Sequence, residues 1–543
     1  MEPLHGAVLG VSDQAKVHDS IDRASKILGD DKLLRLLDST PGHQVPHARQ
    51  MFVNRNLHMS NVKLVGFDMD YTLAIYHHRA LEELSFRMTV DKLIASFGYT
   101  EQLKTIKYDG GFVMRGLFVD KREGNLLKID RYGSVGRAYH GRRQLTEAEL
   151  TTLYRNERIR LKNPEYAWID TLFALPEASL FADAIELLEK TAPGGKLDYA
   201  KLYDDIREAI DTVHRDNSLK AVIKQDLGKY IYKDPELGPA LHRLRSGGKH
   251  LFVLTNSLFD YTDAVMKYLL DGVLPEYPSW RNYFDIVVTG ARKPGFFSDH
   301  NPFIEIDASL KELGPAETFE RGKLYQGGNL SAFERMSGHA GEAVLYVGDH
   351  IYGDILKSKK TSMWRTCMIV QEIEDELEYI DSRRSETEKL ADLEFLLARI
   401  DDELSIYKAQ LNAVDRRLER ETLEAEPRAK LEDEKKRVKA DLDKLRKAYK
   451  ECTEICQTLE VDVERGFNGN WGLLFKEGNE NSRFGEQVES YACIYTSRVS
   501  NFVFYSPLQY FRSPRALLPH EQTGVRLSPF GSEGLPKGTN RAE

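Results

Sequence analysis

The chain has 543 residues, 41% of them hydrophobic and 30% charged, with a net charge of −9. That length permits several domains with real cores. The acidic balance argues against a general nucleic-acid binder, which needs a basic surface to displace counterions, but it is compatible with a local basic pocket for a small anion. Cys367, Cys452, Cys456 and Cys493 form no CxxC pair and show no zinc spacing. No disulfide framework is expected, which fits a reducing compartment. Residues 1–10 lack the basic-then-apolar pattern of a signal peptide, and no apolar run approaches the length of a membrane span. The expectation is a cytoplasmic protein with neither membrane nor nucleic acid as partner.

In chain order, residues 1–50 read as an N-terminal arm with one or two helices. Residues 62–67 (Val-Lys-Leu-Val-Gly-Phe) read as a strand, as do the apolar runs 250–254, 285–288 and 344–347. Helical patterns separate them, so the expected fold is α/β, a doubly wound parallel sheet. The catalytic core is assigned to 51–76 and 241–384. The stretch between the first two strands is far longer than a parallel crossover needs, so 77–240 is expected to be an inserted cap domain. Residues 385–461 keep apolar residues at 3-4 spacing, from Leu390 and Leu393 through Leu411 to Leu418, then from Leu431 to Leu459. Nearly everything between is charged, the heptad signature of a coiled coil. A break at 424–428 turns it into an antiparallel hairpin. Residues 462–521 are expected to be a C-terminal helical part on the core, and 522–543, rich in Gly, Ser and Pro, a disordered tail.

Chemistry concentrates where the strands end. The first runs into Asp68-Met69-Asp70-Tyr71-Thr72, and in open α/β sheets ligands bind beyond the carboxyl ends of the strands. Two carboxylates two residues apart on extended chain point to the same side, so one can attack while the other moves protons. The second strand ends in Thr255-Asn256-Ser257, groups suited to phosphate oxygens. Lys293 in Ala-Arg-Lys-Pro follows the third, and Gly348-Asp349 with Asp354 follows the fourth. In the stretch assigned to the insert, Arg207, Asp211 and His214 share one helix face, and Lys220 follows. No GxxxxGK[ST] occurs, so a P-loop kinase is not supported.

This series resembles the four motifs of the haloacid dehalogenase superfamily. The longer strings Phe-Asp-Met-Asp-Tyr-Thr-Leu-Ala, Leu-Thr-Asn-Ser, Ala-Arg-Lys-Pro-Gly-Phe-Phe and Gly-Asp-His-Ile-Tyr-Gly-Asp-Ile-Leu-Lys-Ser-Lys-Lys are similar to the cytosolic purine 5'-nucleotidase family, from about residue 52 to 521 outside the hairpin. The resemblance implies a phosphohydrolase acting on purine nucleoside 5'-monophosphates of the IMP/GMP type, with nucleoside phosphotransfer as a further activity. It makes Asp68 the nucleophile and Asp70 the acid and base. Thr255, Asn256 and Lys293 hold the phosphoryl group. Mg²⁺ is held by Asp68, the Asp70 carbonyl and Asp349, with Asp354 orienting a water on the ion. Phe173 stacks on the base, and Arg207, Asp211, His214 and Lys220 meet the nucleotide. A homo-oligomer, dimer or tetramer, is implied.

Some positions depart from the family pattern. Gly290 stands where an acid is frequent, Ala174 where Asn is expected, and Ser490 replaces a basic residue before Tyr491, although Lys360 is kept. These departures bear on base preference and on activation by nucleotides. Two other readings stay open from sequence: a phosphatase for a non-nucleotide ester, and a catalytically weak scaffold that binds partners through the hairpin.

Overall fold

The computed structural model describes residues 45–515 and 518, apart from 161, 192–196, 357–361 and 421–423. Most of the expected N-terminal arm, the tail and Lys360 lie outside the described residues. The centre is a ten-stranded sheet. In chain order its strands are β1 (Phe52–Val53), β2 (Leu64–Phe67), β3 (His250–Leu254), β4 (Ile286–Thr289), β5 (Phe303–Ile306), β6 (Glu312–Pro315), β7 (Leu324–Gly327), β8 (Val344–Gly348), β9 (Arg365–Ile369) and β10 (Ile494–Thr496). Across the sheet they lie β1-β10-β9-β8-β2-β3-β4-β7-β5-β6. The run from β10 to β7 is parallel, and antiparallel pairs finish both edges.

All four residues of β2 are buried. Their alternation sends Val65 and Phe67 into one hydrophobic cluster and Leu64 into another, so the strand is covered on both faces, as a parallel sheet requires. Because β3 lies on one side of β2 and β8 on the other, the winding reverses at β2. That reversal opens a crevice at the carboxyl end of the strand.

Between β2 and β3 the chain makes its long excursion. Ile75–Tyr76 pairs antiparallel with Ile231–Tyr232, so a two-stranded ribbon closes the insertion. Within it lie a five-stranded antiparallel sheet and the helices α1 (His78–Phe97), α2 (Leu175–Thr191), α3 (Tyr199–Arg215) and α4 (Ser218–Gln225). On α3, Leu202, Ile206, Ala209, Ile210 and Val213 are buried, the 3-4 pattern of an amphipathic helix.

Two long helices, α5 (Arg384–Arg420) and α6 (Ala425–Arg465), pack on each other through Ile400, Leu404 and Leu442. Near the turn, Lys435 meets Asp415 at 2.6 Å, which makes the pair antiparallel. The break expected at 424–428 falls earlier. Glu424 caps α6, so Pro427 sits in its first turn, where a missing N–H removes no intrahelical bond. The stretch 462–521 carries the helix Arg483–Tyr491 and a short 3₁₀ helix, Val499–Phe504, but it also supplies β10 to the main sheet, which the sequence reading did not include. Three residues, Ile-Tyr-Thr, are too few to show a period.

One glycine is fixed by the sheet itself. A Cβ on Gly66 would fall 2.0 Å from the Phe252 ring on the adjacent strand, and that ring is fully buried. Gly66→Ala is expected to lower stability by about 1–3 kcal/mol through overpacking, read as a lower melting temperature against wild type.

Candidate active site

Asp68 leaves β2 with its amide bonded to the Val347 carbonyl at 2.9 Å, so the sheet ladder itself sets where the carboxylate points. Lys293 comes from the turn after β4. Asn256 pins that turn from β3: its Nδ2 donates to the Lys293 carbonyl at 2.9 Å, and its Oδ1 accepts from the Lys293 amide at 2.6 Å. The Lys293 ammonium, itself buried, lies 3.0 Å from Asp68 Oδ1 and donates to Asp354 Oδ1 at 2.6 Å and to the Tyr346 hydroxyl at 2.8 Å. Tyr346 in turn donates to the Leu254 carbonyl at 2.9 Å. Four strands therefore fix one ammonium.

Asp349 completes the group. One carboxylate oxygen each from Asp68, Asp349 and Asp354 lies within 4.8 Å of the others. Three buried acids with one ammonium leave surplus negative charge. Burial pushes the Asp68 carboxyl up to about 7; Lys293 pulls it down, and Asp354 and Asp70 add repulsion. Asp349 is raised well above the carboxylate range, by burial first and Asp354 next. Burial opposes the charge on Lys293, but Asp354 and Asp68 hold its pKa above the usual lysine value.

Asp70 stands apart from the cluster. Its Oδ1 accepts from the Tyr76 hydroxyl and its Oδ2 from the Ser257 hydroxyl, both at 2.6 Å. Lys220, from α4, donates to Ser257 at 3.0 Å, so the insertion reaches Asp70 through one hydroxyl. Thr255 is fully buried, and its Oγ1 accepts from the Ser257 amide at 3.2 Å.

Phe173 packs edge-on to Tyr71 at 4.6 Å and to His214 at 5.3 Å. Tyr71 belongs to the Asp68–Thr72 segment, so this aromatic group adjoins the strand ends. Burial lowers the His214 pKa to about 4, helped by Lys220, so the ring is neutral at pH 7. Arg207 and Asp211 adjoin the same His214 ring; Arg207 also donates to Glu177 at 2.8 Å and is 3.5 Å from Asp211. Ala174 is buried beside Phe173. Gly290 has φ +54, a left-handed conformation that glycine adopts without the steric cost a side chain brings. The Ser490 hydroxyl donates to Glu486 at 3.0 Å.

Sequence reading passed over several residues that hold this arrangement. Arg115, fully buried, donates to the Asp349 carbonyl at 3.0 Å and to both oxygens of Glu372 at 2.9 and 2.6 Å. His350 lies 2.8 Å from Asp170, which raises its pKa to about 9 against the opposing effect of burial. Gln371 donates to the Tyr71 carbonyl at 2.9 Å. Arg115 carried no periodic or motif signal. His350 stood inside the fourth motif and was readable there.

A family model described as the 5' nucleotidase family matches residues 51–523. The chain belongs to the 5' nucleotidase family. It is therefore a phosphoric monoester hydrolase by family, of the haloacid dehalogenase type. A 5'-nucleotidase domain-containing protein of Dictyostelium discoideum is 32% identical over 480 residues, 87% of this chain and 75% of that protein. The 5'-nucleotidase domain-containing protein 2 of Rattus norvegicus and that of Homo sapiens are each 34% identical, over 347 and 348 residues. Those matches cover 62% of this chain and only 61% and 65% of the rat and human proteins.

The acid cluster predicts a linked response to pH and cation. Asp68 binds its proton more tightly folded than unfolded, so its stabilising contribution is complete below about 3.8 and is lost as pH rises through about 7. In chelator, the melting temperature is expected to fall from pH 5 to pH 8. Added Mg²⁺ is expected to raise it more at pH 8 than at pH 5, and Asp349→Asn is expected to remove most of that gain. Thermal melts at the two pH values, with and without Mg²⁺, read this directly.

Proposed function

We propose that this chain is a Mg²⁺-dependent 5'-nucleotidase that hydrolyses purine nucleoside 5'-monophosphates of the IMP/GMP type through an aspartyl-phosphate on Asp68. The carrying observation is the division of labour between two carboxylates from one strand end. Asp68 sits with Lys293, Asp349 and Asp354, while the Asp70 carboxylate accepts from two hydroxyls at 2.6 Å. Asp68 attacks phosphorus as the bond to the 5'-oxygen breaks, and Asp70 gives its proton to that leaving oxygen. Asp70 then takes a proton from a water that attacks the same phosphorus, which frees phosphate and restores Asp68. A nucleoside hydroxyl taking the place of that water gives phosphotransfer.

The residues fit a hard divalent cation. Asp68 and Asp349 offer carboxylate oxygens at the crevice with charge to spare, and the Asp70 carbonyl adds an oxygen donor. Bound there, Mg²⁺ would offset the repulsion between the Asp68 carboxylate and a phosphate dianion. Lys293 neutralises charge on the same side, Thr255 stands beside it to hold phosphoryl oxygens, and Asn256, its side chain bonded to the Lys293 backbone, fixes the ammonium there and leaves its second Nδ2 proton for a phosphoryl oxygen. Asp354, bonded to Lys293, positions that ammonium and would orient a water if the ion were bound.

The insertion acts as the cap that recognises the nucleoside. Phe173, with the neutral His214 ring edge-on to it, offers a face for the base, and Lys220, Arg207 and Asp211 supply polar contacts to the nucleotide. The paired helices α5 and α6 form an antiparallel coiled-coil hairpin within the chain, and we read the protein as a homo-oligomer, dimer or tetramer. No helix among the described residues is long and apolar enough to cross a membrane, and we place the activity in the cytoplasm.

With Mg²⁺ and a panel of nucleoside monophosphates, phosphate release is expected for purine substrates. Asp68→Asn is expected to cut turnover by about 10⁴-fold or more, and Asp70→Asn by about 10²–10⁴-fold. Release that is unaffected by Asp68→Asn would refute the proposal. Phe173→Ala is expected to raise KM for purine monophosphates while narrowing their advantage over a sugar phosphate, measured as the ratio of kcat/KM values.

A further inference from the structure

On the side of Tyr71 where its ring stacks on His78, at 5.7 Å, the protein has a cavity of about 530 Å³. Ligand sites commonly have this size. The cavity lies where three parts of the fold meet. His78 and Glu82 come from α1, Gln371 and Asp375 follow β9, and Phe467 follows the end of α6. It shares walls with the strand-end site, since Arg115 and Gln371 line it and bond the carbonyls of Asp349 and Tyr71.

Its polar atoms are unevenly committed. The donors of Arg115 go to Glu372 and the Asp349 carbonyl, the Tyr379 hydroxyl donates to the Asp462 carbonyl, and the Asn468 amide donates to the Gly111 carbonyl. The acceptors are less satisfied. Glu82 is 5% exposed; Tyr108 donates to its Oε2, while its Oε1 has only the His78 ring, at 3.7 Å. Gln371 Oε1 is buried with no partner better than the adjacent His78 ring. The His78 ring, beside both, can serve one of them. Asp375 stands exposed at the rim. Apolar surface from Leu172, Leu175 and Phe467 makes up much of the remaining wall.

We propose that this cavity is a binding site for a small organic cation, an amine with an apolar body, whose ammonium is held by Glu82, Gln371 and Asp375. An ammonium brings donors and no acceptor, which is what these walls lack. An aryl or alkyl body would lie on Phe467, Leu172 and Leu175, and Phe467 gives the cation an aromatic face. A phosphorylated substrate would meet Glu82 and Asp375 as like charges, which separates this cavity from the nucleotide site. Burial pushes the Glu82 carboxyl up to about 7, and a bound cation would relieve that cost.

Phenethylamine and phenylacetate share a ring and differ in charge, so calorimetric titration of each into the full chain tests the proposal. Phenethylamine is expected to give saturable one-site binding and phenylacetate none. Glu82→Gln is expected to weaken phenethylamine at least about tenfold, Asp375→Asn about threefold, and Glu378→Gln, outside the cavity, not at all. Asp375 is exposed, so Asp375→Asn decides the matter should Glu82→Gln fail to fold. No saturable heat with phenethylamine, equal binding of phenylacetate, or wild-type affinity in Asp375→Asn would overturn the proposal.

Discussion

The strand-end site depends on one buried ammonium. Lys293 lies between Asp68 and Asp354, at 3.0 and 2.6 Å. Without it the two carboxylates would face each other in a space that burial already makes costly for charge. The ammonium is placed by backbone-level contacts, through the two Asn256 bonds to the Lys293 peptide and the Tyr346 hydroxyl anchored on the Leu254 carbonyl. A flexible side chain thereby acts as a fixed charge, which is what electrostatic stabilisation of a transferring phosphoryl group requires.

The same economy joins the insertion to the core. Lys220 reaches Ser257, His350 reaches Asp170, and Arg115 ties the Asp349 carbonyl to Glu372. Each contact ends on, or next to, a residue of the strand-end site. Displacement of the insertion would therefore disturb Asp70 and Asp349 directly. Phe173, wedged edge-on between Tyr71 and His214, links α3 to the segment carrying Asp68.

The centre of the sheet was legible in the sequence because β2, β3, β4 and β8 are buried on both faces and read as unbroken apolar runs. Their ends were legible because acids, hydroxyls and a lysine there have no packing reason to be present. The outer strands were not. Glu-Leu-Gly-Pro in β6 and Ile-Tyr-Thr in β10 are too short or too irregular to show a period, and only pairing with neighbours makes them strands. Arg115 was invisible for a different reason: its role comes from Glu372 and Asp349, more than two hundred residues away. The grouping of Arg207 and Asp211 with Glu177, on α2, was likewise set by the packing of α2 against α3, which helix spacing cannot report.

The most direct measurement is chemical. Wild-type protein turning over a nucleoside monophosphate labelled in its phosphate, quenched in acid within a single turnover and digested, should yield label on the peptide that contains Asp68. Product accumulating with no protein-bound label, or label on a peptide from another part of the chain, would contradict the account.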